Sequence, residues 1–311
     1  MKFISIVTPC YNEEENVFEV YSQVKEVFSK LKKEFRYEHI FIDNASIDNT
    51  QTILRKIASK DKNVKIIINA RNFGHIRSPY YGLLQANGEA VILIVSDLQD
   101  PITMIFDFLE EWKKGYKIVV GVKNESLESP LFFAIRKLYY SIIGRLSDIP
   151  LIKNFTGFGL YDRQVINTLK GINDPYPYLR GLICDIGFKV KEIPYVQPIR
   201  KRGFTKNNFY TLYDIAMLGI TNHSKIPLRL AAFGGFILSA LSFSVALIQI
   251  LLKFFFWDTY SIGISTLVVG LFFFASVQLF FIGILGEYIG SIHTQILNRP
   301  LVVESERINW K

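Results

Sequence analysis

Residues 3–16 read Phe-Ile-Ser-Ile-Val-Thr-Pro-Cys-Tyr-Asn-Glu-Glu-Glu-Asn, and this stretch sets the plan for the first half of the chain. The β-branched run Phe3–Thr8 predicts a buried strand, and Pro9 stops it. A polar loop follows. From Asn16 to Glu34, Val17, Val20, Val24, Val27, Phe28 and Leu31 then recur at helical spacing. The alternation continues with strands at His39–Asp43, Val64–Asn69, Ala90–Val95 and Lys117–Val122. Helices fall between them at Thr50–Ser59, Ser78–Asn87 and Ile102–Lys114. This order predicts an α/β fold, a mostly parallel sheet with helices on both faces. Ligands of such sheets bind beyond the carboxyl ends of the strands. Four polar loops gather there: Pro9–Asn16, Asp43–Thr50, Asn69–Gly74 and Ser96–Pro101.

The end of the chain has a different character. Leu230–Leu252 (LAAFGGFILSALSFSVALIQILL) is 23 residues without a charge, and Tyr260–Gly286 is 27 more. About 20 helical residues cross a bilayer's hydrocarbon core, so the two runs predict a transmembrane hairpin turning at Lys253–Thr259. The alternative is a pair of helices buried in a soluble core. The charge is uneven as well. Residues 230–311 hold four basic groups (Lys253, Arg299, Arg307, Lys311) and four acidic ones (Asp258, Glu287, Glu304, Glu306), so the whole excess of +8 lies in residues 1–229. A basic domain beside a hairpin predicts the cytoplasmic face of the plasma membrane, with both termini on that side. No basic helix, zinc spacing or RNA-binding signature supports nucleic acid as the partner. Cys10 and Cys184 are too few for a disulfide framework, and the apolar start is too short for a signal peptide. Residues 129–147 have helical apolar spacing with Arg136, Lys137 and Arg145 among them, which predicts an amphipathic helix on the membrane surface. Residues 207–229 form a second juxtamembrane segment of this kind. The expected division is a cytoplasmic α/β domain at 1–206 that includes the 129–147 helix, the juxtamembrane segment at 207–229, the hairpin at 230–290 and a cytoplasmic tail at 291–311.

The chemistry narrows by exclusion. The chain has neither a Gly-x-Gly-x-x-Gly fingerprint nor a phosphate-binding lysine loop, so dehydrogenase and ATPase readings are weak. Asp97 follows an apolar strand and faces the ligand edge, where a carboxylate can hold a magnesium or manganese ion on a diphosphate. Asp100, before Pro101, reads mainly as a helix N-cap. One of Asp43, Asn44, Ser46 and Asp48 is expected to cap the helix at Thr50.

Six blocks in order carry a family resemblance. They are Val7–Glu14 (VTPCYNEE), Asp43–Thr50 (DNASIDNT), Arg71–Gly74 (RNFG), Ser96–Pro101 (SDLQDP), Arg200–Lys206 (RKRGFTK) and Gly286–Gly290 (GEYIG). The chain resembles the family-2 glycosyltransferases, in the polyisoprenyl-phosphate branch that includes dolichol-phosphate mannose synthase and bacterial undecaprenyl-phosphate glucosyltransferases. The resemblance implies a GT-A-like nucleotide-diphospho-sugar fold and inverting transfer of one sugar, from a UDP-sugar, to a polyprenyl phosphate. It implies that Pro9, Tyr11, Glu13, Asp43 and Asn44 bind the nucleotide. Asp97 and Gln99 would hold Mg2+ or Mn2+ on the diphosphate, and Arg200, Arg202 and Lys206 would grip phosphate as part of the catalytic set with Asp97. Relatives of that branch form tetramers, which implies a homo-oligomer by analogy.

Three positions depart from the family pattern. Val95 stands where the first Asp of Asp-x-Asp is usual, and Asp43-Asn44-Ala45-Ser46 replaces Asp-Asp-Gly-Ser. Thr156-Gly157-Phe158-Gly159-Leu160 replaces Gly-Asp-Phe-Arg-Leu, removing the Asp often proposed as base. A phosphate monoester has a second pKa of about 6, so a lipid phosphate can attack without losing a proton, whereas a sugar hydroxyl cannot. Two rival readings follow from the departures: a lapsed homologue that binds lipid phosphate or a partner, and a hydroxyl-directed polysaccharide glycosyltransferase.

Overall fold

The computed structural model describes residues 1–125, 151–198, 217–221, 224–255 and 264–310. The expected amphipathic helix at 129–147, most of the segment 207–229, and Arg200, Arg202 and Lys206 lie outside the described residues.

Eight strands form one sheet in the order β7-β5-β6-β4-β1-β2-β3-β8. They are β1 (Lys2–Cys10), β2 (Phe35–Asp43), β3 (Val64–Asn69), β4 (Ala90–Leu93), β5 (Ile118–Glu125), β6 (Phe155–Asp162), β7 (Val190–Val196) and β8 (Glu304–Ile308). β1 pairs in parallel with β2 and β4, β2 with β3, and β5 with β7; β6 runs antiparallel to both β4 and β5, and β8 antiparallel to β3. The sheet is mixed: the β3-β2-β1-β4 run expected from the strand–helix alternation is parallel, and β6 and β8 join antiparallel.

The helices cover both faces. On one, α1 (Val17–Leu31) and α4 (Ile105–Lys113) bury Val20, Val24, Phe28, Ile105 and Phe108 against Ile4, Ile6 and Ile92. On the other, α3 (Gly74–Gln85), α5 (Arg163–Gly171) and α6 (Leu179–Asp185) bury Tyr80, Leu83, Val165, Ile166 and Ile183 against Val7, Ile42 and Val91. Beside α1, α2 (Thr50–Lys60) seals Leu54 and Ile57 over Phe41 and Ile66. Strands β1 to β4 are buried on both sides along most of their length, which is why they read as continuous apolar runs rather than alternating ones.

After β1 the chain steps outward to β2 and β3, then returns to place β4 on the other side of β1. This reversal opens a crevice at the carboxyl ends of β1 and β4, the usual place for a ligand in such a sheet. The loops at Pro9–Asn16 and Ser96–Pro101 flank it.

The apolar runs form α7 (Ile226–Phe255) and α8 (Ile264–Leu297). Both are long and apolar enough to cross a membrane. Unlike core helices, they expose their large apolar side chains, Phe236 at 74% and Phe254 at 77%. The two helices meet where Phe281 packs over Gly234; a Cβ on Gly234 would lie 2.9 Å from the ring. At their base, the Tyr288 hydroxyl donates to the Ser224 carbonyl at 2.8 Å.

The segment expected as a tail has a structural place. β8 extends the sheet beyond β3, tied to α2 by Arg55 on Glu306 and to α3 by Tyr81 on Glu304 and Arg307 on Gln85. Asn309 and Trp310 continue the attachment, donating to the carbonyls of Val64 and Ile66.

Candidate functional site

The loops after β1 and β2 are clasped by reciprocal hydrogen bonds. The N–H groups of Asn12, Glu13 and Glu14 donate to the side chains of Ser46 (2.9 Å), Thr50 (2.9 Å) and Asp48 (3.2 Å). In return, the N–H groups of Ile47 and Asn49 donate to the side chains of Asn12 and Glu14, each at 2.9 Å. Asn12 and Ala45 sit in the left-handed backbone region at φ 53° and 60°. Asp48 also accepts from the Thr50 N–H at 3.0 Å, so it is the member of the expected set that satisfies the start of α2.

Asp43 is fully buried under this clasp. One of its oxygens accepts from the Ser46 N–H at 3.0 Å and from Gln51 at 2.8 Å. Burial pushes its carboxyl above the ordinary range, against these donors. Asn44 faces the third loop. Its carbonyl oxygen accepts from Asn69 (3.0 Å) and the Phe73 N–H (2.9 Å), and its amide donates to Asn72 (2.8 Å) and the Gly74 carbonyl (3.1 Å). Four bonds use the whole capacity of an Asn side chain, so Asn44 shapes the wall between β2 and β3 with Asn69 and Asn72. Both lie in the Asn69–Gly74 loop expected at the ligand edge, without an individual role there; their place after β3, as Asn44 follows β2, is the signal for this supporting one. Pro9, Tyr11 and Glu13 lie half-buried at the mouth of the clasp, with Glu13 accepting from Asn16 at 2.6 Å.

The turn after β4 is built differently. Leu98 takes a left-handed backbone (φ 58°) and packs against the core, which leaves Asp97 and Gln99 half-buried beside it. One Asp97 oxygen accepts from the Gln99 N–H at 3.1 Å; among the described residues none donates to the other. No group of three His, Cys, Asp or Glu among the described residues can hold a metal on protein ligands alone. The donors present are hard oxygens, a carboxylate and an amide, of the kind that suits magnesium or manganese, with further ligands needed to complete the shell.

Asp100 is not the expected helix cap. The short 3-10 turn Ile102–Met104 that precedes α4 has no side-chain cap. Instead the Asp100 carboxylate turns inward, is 5% exposed, and accepts from the Tyr195 hydroxyl at 2.7 Å. Burial raises its carboxyl to about 6. The competing partner is remote in sequence, which is why the local cap pattern misled.

β6 carries the block that departs from the family pattern. Gly157 adopts φ +104°, and a Cβ there would touch Leu93 and Leu179 at 3.6 and 3.7 Å, ordinary contacts. At Gly159 a Cβ would lie 2.6 Å from the Val119 carbonyl, so that position admits no side chain. Asp162 stands at the opposite end of β6, opposite Ala90, where it caps α5 and accepts from Trp112 at 2.7 Å.

Residues 5–169 match the family described as glycosyl transferase family 2. The chain is 36% identical over 301 residues to an uncharacterized glycosyltransferase of Bacillus subtilis (strain 168), covering 96% of this chain and 92% of that protein. It is 33% identical over 309 residues to the SfII prophage-derived bactoprenol glucosyl transferase of Shigella flexneri, covering 98% and 99%. With the prophage bactoprenol glucosyl transferase homolog of Escherichia coli (strain K12) it shares 32% identity over 298 residues, 96% of each chain.

Proposed function

The chain belongs to glycosyl transferase family 2, and from that premise we propose that it moves one sugar from a UDP-sugar to a polyprenyl phosphate such as undecaprenyl phosphate. The observation that carries this reading is the end-to-end likeness to proteins named bactoprenol glucosyl transferase, a likeness that includes both apolar helices and the last strand.

The donor lies in the crevice between β1 and β4. Its base and ribose rest against Pro9, Tyr11 and Glu13, with Asp43 holding the floor. Its diphosphate reaches Asp97 and Gln99. A magnesium or manganese ion bound there would neutralise charge on the departing nucleoside diphosphate. Arg200, Arg202 and Lys206 supply positive charge to the phosphates. The acceptor, a phosphate largely dianionic at neutral pH, attacks the anomeric carbon in line. A new carbon–oxygen bond forms on one face as the bond to the donor's diphosphate breaks on the other, its electrons leaving with UDP, and the configuration inverts. No proton has to be removed, so Gly157, set between Leu93 and Leu179, can stand where the family's proposed base stands.

A lipid acceptor also accounts for the hairpin. The chain leaves the domain at α7 and rejoins it as β8, so the two apolar helices start and finish on one side. Two membrane spans meet that condition. The excess positive charge of the domain supports a cytoplasmic side, and the lipid-linked sugar then serves envelope glycan modification.

The test is incubation of the full-length protein, in vesicles, with a panel of UDP- and GDP-sugars and undecaprenyl phosphate. The expected product is a monoglycosylated lipid phosphate formed from a UDP-sugar. Transfer to undecaprenol but not to its phosphate would reject the reading in favour of a hydroxyl-directed enzyme.

A further inference from the structure

Tyr195 is 7% exposed near the end of β7, and its hydroxyl reaches the loop that follows β4. It donates to Asp100 at 2.7 Å. Asp100 is the last residue of the Val95–Asp100 loop, so this bond ties that loop to β7. Asp97 and Gln99 ride on that loop, with Leu98 held at a positive φ between them. The tyrosine ring is fixed by packing. It meets Phe158 edge-on at 5.6 Å, and Phe158 meets Phe108 at 4.9 Å. Gly121 on β5 makes the space: a Cβ there would lie 2.7 Å from the Phe158 ring and 3.1 Å from that of Tyr195.

This is a costly way to stabilise a core. A carboxylate in an apolar pocket carries a desolvation penalty that a leucine would not. What a buried, hydrogen-bonded carboxylate provides is a single geometry for the groups it holds. The geometry held here is that of the turn bearing Asp97 and Gln99. The element doing the holding is β7, which ends at Val196, shortly before Arg200 in the sequence.

We infer that Tyr195 is a positioning residue for sugar transfer: acting through Asp100, it fixes the Asp97–Gln99 turn from the strand that leads into the basic segment. The inference rests on the reading that Asp97 and Gln99 hold a metal on the donor diphosphate. Tyr195 touches neither substrate nor metal, and acts as a support behind the ligands.

The experiment measures turnover of the full-length protein in vesicles against MnCl2 concentration, with UDP binding measured in the presence and absence of MnCl2. Tyr195→Phe should raise the half-saturating MnCl2 about tenfold, the low end for losing a group that orients a metal ligand. The KM for the lipid should stay within about twofold, and excess metal should recover part of kcat. Asp100→Asn keeps an acceptor for the hydroxyl and should produce a smaller shift. The double variant should be no worse than the more damaged single variant, because the two residues act as one unit. A wild-type metal requirement in folded Tyr195→Phe overturns the inference, as does an additive double variant. If Tyr195→Phe does not fold, an unchanged metal requirement in Asp100→Asn overturns it. If wild type and Asp97→Asn bind UDP alike with and without MnCl2, the metal reading itself fails and the inference falls with it.

Discussion

The clasp between the first two loops and the turn after β4 use the same residue types for opposite ends. In the clasp, Asp48 has both carboxylate oxygens taken by backbone N–H groups, and Asn12, Glu14, Ser46 and Thr50 each accept from a backbone N–H of the facing loop. In the turn, Asp97 keeps one carboxylate oxygen that no described residue engages. Polar residues at a sheet's ligand edge therefore divide into those that hold the loops and those with capacity left for a ligand. Asn44 and Asp97 fall on different sides of that division, although the sequence presents both as candidates.

The sharpest way to break the comparison is to remove capacity on the ligand side. Asp97→Asn should reduce transfer about a thousandfold, roughly 4 kcal/mol at the barrier, while leaving the thermal unfolding of the protein in detergent unchanged. Turnover and unfolding temperature measured on the same preparation decide it; loss of both would make Asp97 a scaffold residue too.

The scaffold side should fail in stability first. Asn44→Ala removes the side-chain acceptor of the Phe73 N–H and one bond each from the Gly74 carbonyl, from Asn69, which keeps Ser78, and from Asn72, which keeps the Gly74 N–H. The expected loss is about 3 kcal/mol, read as a fall in unfolding midpoint, with the surviving folded enzyme still metal-dependent. A stable but metal-insensitive Asn44→Ala would move Asn44 to the ligand side.

His39 carries the contrast into pH. It is fully buried with its ring 2.9 Å from the Thr8 hydroxyl, and burial pushes its pKa down to about 3. An unfolded histidine titrates near 6.5. Between these values the unfolded chain binds a proton that the folded chain does not, so stability is full above about 6.5 and is lost as pH falls. The slope approaches about 1.4 kcal/mol per pH unit. Denaturant midpoints measured from pH 7 to 4 should show this slope, and His39→Gln should flatten it. Turnover should fall as well through about pH 6, the acceptor's own second pKa, and His39→Gln should leave that fall in place. A turnover profile that followed His39 would tie the fall to the scaffold instead.

The smallest effect expected is at Gly157. Substitution to Ala or Asp imposes a positive-φ strain of about 1–2 kcal/mol, with space for the Cβ itself. Gly157→Asp should not exceed Gly157→Ala in turnover. A large gain in the Asp variant alone would mean that the reaction had lacked a base.

Much of this arrangement could be read from the chain. The runs of β1 to β4 are buried on both faces, so their apolar continuity marked them, and the polar loops between them marked the site. Three things escaped. β6 contains Gly157 and Gly159, and its interior role depends on Val119 and Leu93 lying alongside. β8 reads Glu-Ser-Glu-Arg-Ile, an edge strand whose charges pair with α2 and α3, so nothing apolar announces it. Asp100 had a plausible local role, and only Tyr195, 95 residues later, displaces it. Local pattern finds elements that bury their own side chains. It misses positions defined by a distant neighbour.

The last strand of the sheet is made after both apolar helices. Until Glu304–Ile308 emerges, β3 is an open edge, and it stays open while both apolar helices are synthesised. An unpaired edge is a template for pairing with other chains. Placement of α7 and α8 and completion of the sheet thus form an ordered sequence during biosynthesis. The sheet is therefore closed only after both apolar helices have been made, because the strand that pairs with β3 follows them in the chain.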